Sequence, residues 1–233
     1  MEFPRAPLPR MLRVRQQLTD EHLPDVVAAV RAALAAGGLR ERVRPGQRVA
    51  ITAGSRGIAN IQAVIRTVAE ELKALGAEPF VVPAMGSHGG ATVEGQRAVL
   101  AEYGITEAEV GAPILATMDT VIVGHLDDGT PCFMDRHAWE GDAVVIVGRV
   151  KAHTAFRGDI ESGLCKMLAI GLGKQRGAET NHARGLRDTI PAVASVLLAS
   201  GKVALGVGLV ENAYHKLHTI RAVGPDDFHA ADP

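Results

Sequence analysis

Apolar residues recur along this chain in two rhythms, short continuous runs and stripes of helical spacing, with glycines between them. Residues 11–16 alternate well enough to predict a short strand. Val26, Val27, Val30 and Leu34 share one helical face, predicting a helix that is capped by Asp20, runs to about residue 36 and stops at Gly37-Gly38. Residues 48–52 form a compact apolar strand that enters the turn Ala53-Gly54-Ser55-Arg56-Gly57. Ile61, Val64, Ile65, Val68 and Leu72 then mark a helix over about 58–75, ended by Gly76. A strand over 79–83 leads to a second glycine-rich turn, Gly86-Ser87-His88-Gly89-Gly90, and to a helix near 92–103.

Strand–turn–helix alternation of this kind specifies parallel strands joined by crossover helices. Residues 120–125 and 131–134, separated by Asp127-Asp128-Gly129, read instead as a hairpin. A fully apolar strand covers 143–150, helices are expected over about 161–171 and 189–199, and a strand over 203–210 precedes an extended piece at 218–223. The expected fold class is α/β: a Rossmann-like, mostly parallel sheet with flanking helices and a small hairpin. Residues 1–233 read as one domain, and 225–233 read as a helix start or linker with no core after it.

Formal net charge is −1 at pH 7, and aromatic residues make up 3% of the chain. Neither a polyanion-binding surface nor stacking platforms for bases are expected from such a composition, apart from a weak N-terminal cluster of Arg5, Arg10, Arg13 and Arg15. Nucleic acid and membrane are therefore not expected partners, and no apolar run approaches a membrane span. Cys132 and Cys165 make neither a disulfide framework nor a four-thiolate zinc site, and a reducing cytoplasm is the expected setting.

The candidate chemistry sits in turns that follow strands. Arg56, His88 and His153 each follow a predicted strand, where ligands bind in parallel α/β sheets. Lys166 interrupts the apolar run Leu164-Cys165-Lys166-Met167-Leu168, on a Ser162-Gly163 turn, with His153 before it and Asn181-His182 after it. A lysine on an apolar helical face either extends its head to water or is used chemically. The first turn also suggests the phosphate turn of short-chain dehydrogenases, but neither Tyr103 nor Tyr214 is followed by the lysine of a Tyr-x-x-x-Lys pair. A zinc hydrolase held by His88, His153 and His182 is a further reading, though the spacing carries no metal signature and leaves Lys166 unexplained.

Taken together, these residues resemble the N-terminal domain of the nickel-dependent lactate racemase family, from about residue 48 to 182 and more loosely beyond. The resemblance implies a nickel-pincer nucleotide held covalently by Lys166 on the turn Ser162-Gly163-x-x-Lys166. It implies nickel coordination by His182, sixteen residues later. His88 and His153 match the family's acid/base pair, and Arg56 its carboxylate-binding arginine. The implied activity is racemisation or epimerisation of a small 2-hydroxy acid through hydride transfer coupled to proton transfer.

The family's first turn reads Asp-x-Thr-Arg-Pro, where this chain has Ala53-Gly54-Ser55-Arg56-Gly57, and the family's Pro-Gly after the lysine is Ile170-Gly171 here. A 2-hydroxy acid other than lactate is therefore the expected substrate, and a non-catalytic homologue that loads no cofactor is the alternative. The C-terminal domain of the family is expected to be absent from this chain. The isolated chain is accordingly expected to lack racemase activity, with its site residues converging on an open cleft and the Lys166 amine free of any carboxylate.

Overall fold

The computed structural model describes residues 10–232, so Arg5 of the basic cluster and Pro233 lie outside the described residues. The chain runs through α1 (Val26–Ala36), α2 (Leu39–Arg42), β1 (Arg48–Ala53), α3 (Ile61–Ala74), β2 (Glu78–Pro83), α4 (Val93–Glu102) and α5 (Glu107–Val110). Next come the hairpin strands β3 (Thr120–His125) and β4 (Pro131–Asp135), then α6 (Arg136–Glu140) and β5 (Ala143–Arg149). A short helix α7 (Leu164–Lys166) continues as a π-helical segment (Met167–Leu172) into α8 (Lys174–Arg184) and α9 (Leu186–Ala199). Strands β6 (Val203–Glu211) and β7 (Leu217–Val223) and a final turn of helix, α10 (Phe228–Ala231), complete it.

The main sheet has the order β2-β1-β5-β6-β7, parallel except for β7, which pairs antiparallel with β6. The hairpin β3-β4 stands apart from it. Strands β1, β2 and β5 are buried on both faces, as their continuous apolar sequences require. One face packs Val64, Val68 and Leu72 of α3 and Leu34 of α1 against Ile51, Val145 and Val207. The other packs Leu164, Leu168, Ile190, Val193 and Leu197 against Val144 and Ile146. Each such side chain contributes about 1.5–3 kcal/mol on burial. The sheet, covered on both faces, forms the rigid base from which the strand-end turns project.

Several elements differ from what local pattern predicts. Residues 11–16 form no strand; Met11, Leu12 and Val14 are 88%, 87% and 81% exposed. Their alternation finds no sheet face to cover. Helix α1 begins later than expected, because Asp25 is its cap, accepting from Ala28 N at 2.9 Å. Asp20 instead pairs with Lys216 at 2.6 Å. Glu161 and Ser162 are not helical; Ser162 bridges back to Lys151, and the helix starts only after Gly163. Helix α8, which carries His182, has too few apolar positions to show a stripe and goes unpredicted.

The largest difference is at the C-terminal end. The segment read as a helix start or linker does begin a helix, a short turn and α10, but it folds back onto the core with Phe228 fully buried. A Cβ on Gly206 of β6 would lie 2.6 Å from the Phe228 ring, so the glycine is what lets that ring seat.

Candidate active site

Three neighbouring strands deliver the three turns. Arg56 follows β1, His88 follows β2 and His153 follows β5, and β1 lies between the other two in the sheet. Together with Lys166, Ser162, Gly163 and His182 they border one cavity of about 290 Å³. Its other wall is apolar, formed by Ile58, Met85, Tyr103 and Ile170 among others. Arg56, His88 and His182 are exposed and Lys166 and His153 half-buried, so the cavity opens to solvent on the side of the turns.

The His88 turn needs left-handed backbone at Gly86, Gly89 and Gly90, with φ of 60°, 68° and 65°. Gln96, fully buried on α4, donates from Nε2 to Gly86 O at 2.9 Å and to His88 O at 3.3 Å. Gln96 Oε1 in turn accepts from Lys174 Nζ at 3.0 Å, and Lys174 pairs with Asp135 at 3.0 Å, both side chains being fully buried. Lys174 Nζ also donates to Pro83 O, at the end of β2. Neither Lys174, whose φ is 53°, nor Gln96 was signalled by sequence; a lone lysine after a glycine gives no hint of burial. On the cavity side, Ser55 Oγ hydrogen-bonds His88 Nδ1, linking the first turn to the second.

His153 is held by Glu161, whose carboxylate accepts from His153 N at 2.6 Å and from Gly158 N at 3.1 Å. These two bonds, with the Arg157 guanidinium, hold the Glu161 carboxyl below its ordinary range. The imidazole packs on Phe156 with ring centroids 4.4 Å apart. Ala155 N donates to His153 Nδ1 at 3.1 Å, which assigns the ring proton of the neutral form to Nε2. His182 has the opposite arrangement: Nδ1 lies 2.6 Å from Ala178 O, which assigns the ring proton of the neutral form to Nδ1 and the lone pair to Nε2.

The electrostatics are one-sided. Partial burial, then the Arg56 and Lys166 charges, lower the His88 pKa; burial, then Lys166 and Lys151, lower that of His153. Lys166 is itself lowered by burial, by Lys151 and by Arg56, and among the described residues no group accepts a hydrogen bond from its Nζ. Lys151, which sequence did not single out, is thus part of the site's charge pattern. Arg149, also at the cavity, is neutralised by Glu211 at 2.6 Å.

Ser162 and Gly163 shape the start of α7. Ser162 O accepts from Lys151 N at 2.8 Å, and Gly163 immediately precedes the helix. Beneath them, the Asp232 carboxylate accepts from Leu164 N at 2.6 Å and Cys165 N at 2.8 Å. Burial and this carboxylate keep the Cys165 thiol protonated, which removes it from the candidate nucleophiles.

The site can hold a carboxylate on Arg56, move protons at two imidazoles, present one unpaired amine and offer one imidazole lone pair. Among the described residues no three His, Cys, Asp or Glu side chains gather as a metal-binding group, so the three-histidine zinc reading lacks its ligand set. No helix among them is long and apolar enough to cross a membrane.

The model for the lactate racemase N-terminal domain matches residues 3–192. Among curated proteins, no sequence matches this chain. The fold is similar to that of the lactate racemase apoprotein from Thermoanaerobacterium thermosaccharolyticum, with a TM-score of 0.62 at 15% identity. That superposition covers 92% of this chain and 57% of the other, so this chain spans little more than half the length of that racemase.

Proposed function

This chain belongs to the lactate racemase N-terminal domain family, and we propose that it is the cofactor-bearing half of a 2-hydroxy acid racemase or epimerase. The observation that carries this reading is the meeting of Arg56, His88, His153, Lys166 and His182 around one cavity. The residues fit a nickel-pincer nucleotide. Lys166 presents a half-buried amine with no acceptor among the described residues, suited to covalent attachment, and His182 presents an Nε2 lone pair, suited to nickel.

When bound, the cofactor supplies the acceptor and donor of a hydride at the substrate's C2. The chain's own residues do the rest. Arg56 offers a planar fork to the substrate carboxylate and fixes which groups face the histidines. One imidazole takes the hydroxyl proton as C2 becomes planar, and the other returns a proton when the centre is rebuilt with opposite hand. Their lowered pKa values keep both rings neutral near pH 7, so either can accept. His153, with its proton on Nε2 in the neutral form, can also donate from that nitrogen.

Ala53 and Gly57 stand where the family's lactate enzyme carries an acid and a proline, and the apolar wall of Ile58, Met85 and Tyr103 lies beside them. These features favour a 2-hydroxy acid other than lactate. A second domain would close the open side of the cavity, excluding water from the hydride step. The test is to produce the chain together with the enzymes that make the cofactor and to measure its intact mass. A nucleotide-sized adduct that is absent from Lys166→Ala supports the reading; an unmodified chain with an intact fold identifies a non-catalytic homologue. Single enantiomers of several 2-hydroxy acids, given to the loaded chain and to a two-domain version, then identify the substrate. Racemisation is expected only from the longer protein.

A further inference from the structure

We propose that, when no cofactor is attached, Lys166 condenses with 2-oxo acids, forming an imine between Nζ and C2 while Arg56 holds the carboxylate. This goes beyond the racemase reading, because it needs no nickel and no nucleotide.

The chain has six lysines, and the other five are all engaged. Lys73, Lys151 and Lys202 donate to the carbonyls of Gly111, Ala152 and Gly141. Lys174 is paired with Asp135 and Lys216 with Asp20. Lys166 alone has no acceptor among the described residues, although it is half-buried and borders a cavity large enough for a small acid. Its charged neighbours are cations, Lys151 and Arg56. A like-charged, partly desolvated setting of this kind shifts an amine toward its neutral, nucleophilic form, the direction used by enzymes that form Schiff bases. Arg56, free of any carboxylate among the described ion pairs, adds a fork for the carboxylate of the incoming acid.

The chemistry balances with groups at the site. The Nζ lone pair adds to the C2 carbonyl, and the carbonyl oxygen takes a proton to give a carbinolamine. Nitrogen gives up the proton that the oxygen has taken, a second proton converts the hydroxyl to water, which leaves as the nitrogen lone pair forms the C=N bond, and the resulting iminium returns that second proton; no redox partner is required. His88 and His153, both neutral near pH 7, are placed at the same cavity to carry these protons. The imine would occupy the amine that the cofactor needs, so 2-oxo acid would compete with cofactor attachment.

The test uses the chain purified from a host that makes no pincer nucleotide. Pyruvate or phenylpyruvate is added with cyanoborohydride, which reduces an imine to a stable secondary amine, and the labelled lysine is mapped by peptide mass spectrometry. One adduct, on Lys166, is expected, and none at that position in Lys166→Arg. Arg56→Gln should lower the preference for pyruvate over propanal, which has no carboxylate, by about tenfold or more. Labelling spread evenly over Lys73, Lys216 and the rest, or an unchanged pyruvate preference in Arg56→Gln, would overturn the proposal. The two readings fail separately. A chain that labels with pyruvate but never loads the pincer nucleotide disproves the racemase assignment alone, and the reverse result disproves the imine alone.

Discussion

A Cβ placed on Gly163 would sit 1.8 Å from Oδ1 of Asp232, the carboxylate that caps the helix bearing Lys166. The glycine thus leaves room for a side chain that is sixty-nine positions away in sequence. Gly163→Ala should push the carboxylate off Leu164 N and Cys165 N and destabilise the fold by about 1–3 kcal/mol. Asp232→Ala removes the cap without the clash and should cost about 1–2 kcal/mol. Denaturant unfolding of both variants and the double variant checks this: the two effects should overlap rather than add, since they disrupt one contact.

Asp232 and Glu161 should give stability opposite dependences on pH. Burial raises the Asp232 carboxyl above its ordinary value, so the folded form binds that proton more tightly than the unfolded form. Its contribution is full below the ordinary carboxylate range and is lost as pH rises through the raised value. Glu161 is lowered by the His153 and Gly158 N–H groups, so its contribution is full above pH 4.5 and lost as pH falls through its lower value. Unfolding measured from acid to neutral pH should therefore show the gap between wild type and Glu161→Gln closing in acid. The Asp232→Asn variant should lose the decline with rising pH. A Glu161→Gln gap that persists unchanged in acid would rule out this account of the His153 turn.

Histidine titrations should separate the charges around the cavity. Lys166 acts on both imidazoles, whereas Arg56 acts on His88. Lys166→Ala should raise the pKa of both His88 and His153, and Arg56→Gln should raise that of His88 with little effect on His153. Ring-resonance NMR across pH 4–9, about the range of an ordinary histidine titration, gives the answer directly. An unmoved His88 in both variants would mean that the cations do not share its cavity.

The Lys174–Asp135 pair should be the most sensitive polar contact in the fold. Both side chains are fully buried, and desolvation lowers the Lys174 pKa even with its partner present. Lys174→Met leaves Asp135 buried and unpaired, an expected loss of about 3–5 kcal/mol. Lys174→Met combined with Asp135→Asn should recover part of that loss. Because Lys174 also orients Gln96 beneath the His88 turn, the single variant should shift the His88 resonances even at temperatures where the protein remains folded.

Much of this protein is legible in one dimension. Period and punctuation suffice for β1, α3, β2, α4, the hairpin, β5 and β6, because each is a local pattern of apolar residues bounded by glycine or proline. The strand-end placement of Arg56, His88 and His153 follows from the same patterns, since a parallel sheet puts every such turn on one edge. What local pattern misses are contacts made over long separations. Residues 11–16 alternate like a strand, but a strand exists only where another strand offers its backbone, and among the described residues none does. The segment after Gly224 reads as a helix start or linker with no core after it, yet Phe228 and Asp232 are buried because Gly206 and Gly163 leave space for them. Lys166 interrupts an apolar run and is signalled by sequence, whereas Lys174, directly after Gly173, is not. Tertiary structure gives Lys174 a buried carboxylate and leaves Lys166 with none, and burial of a charge is tolerated only where a partner compensates it. The sequence alone determined most of the strands and helices and the strand-end position of Arg56, His88 and His153. Only the folded chain decided which polar groups are paired, because pairing depends on distances between residues that the local code does not encode.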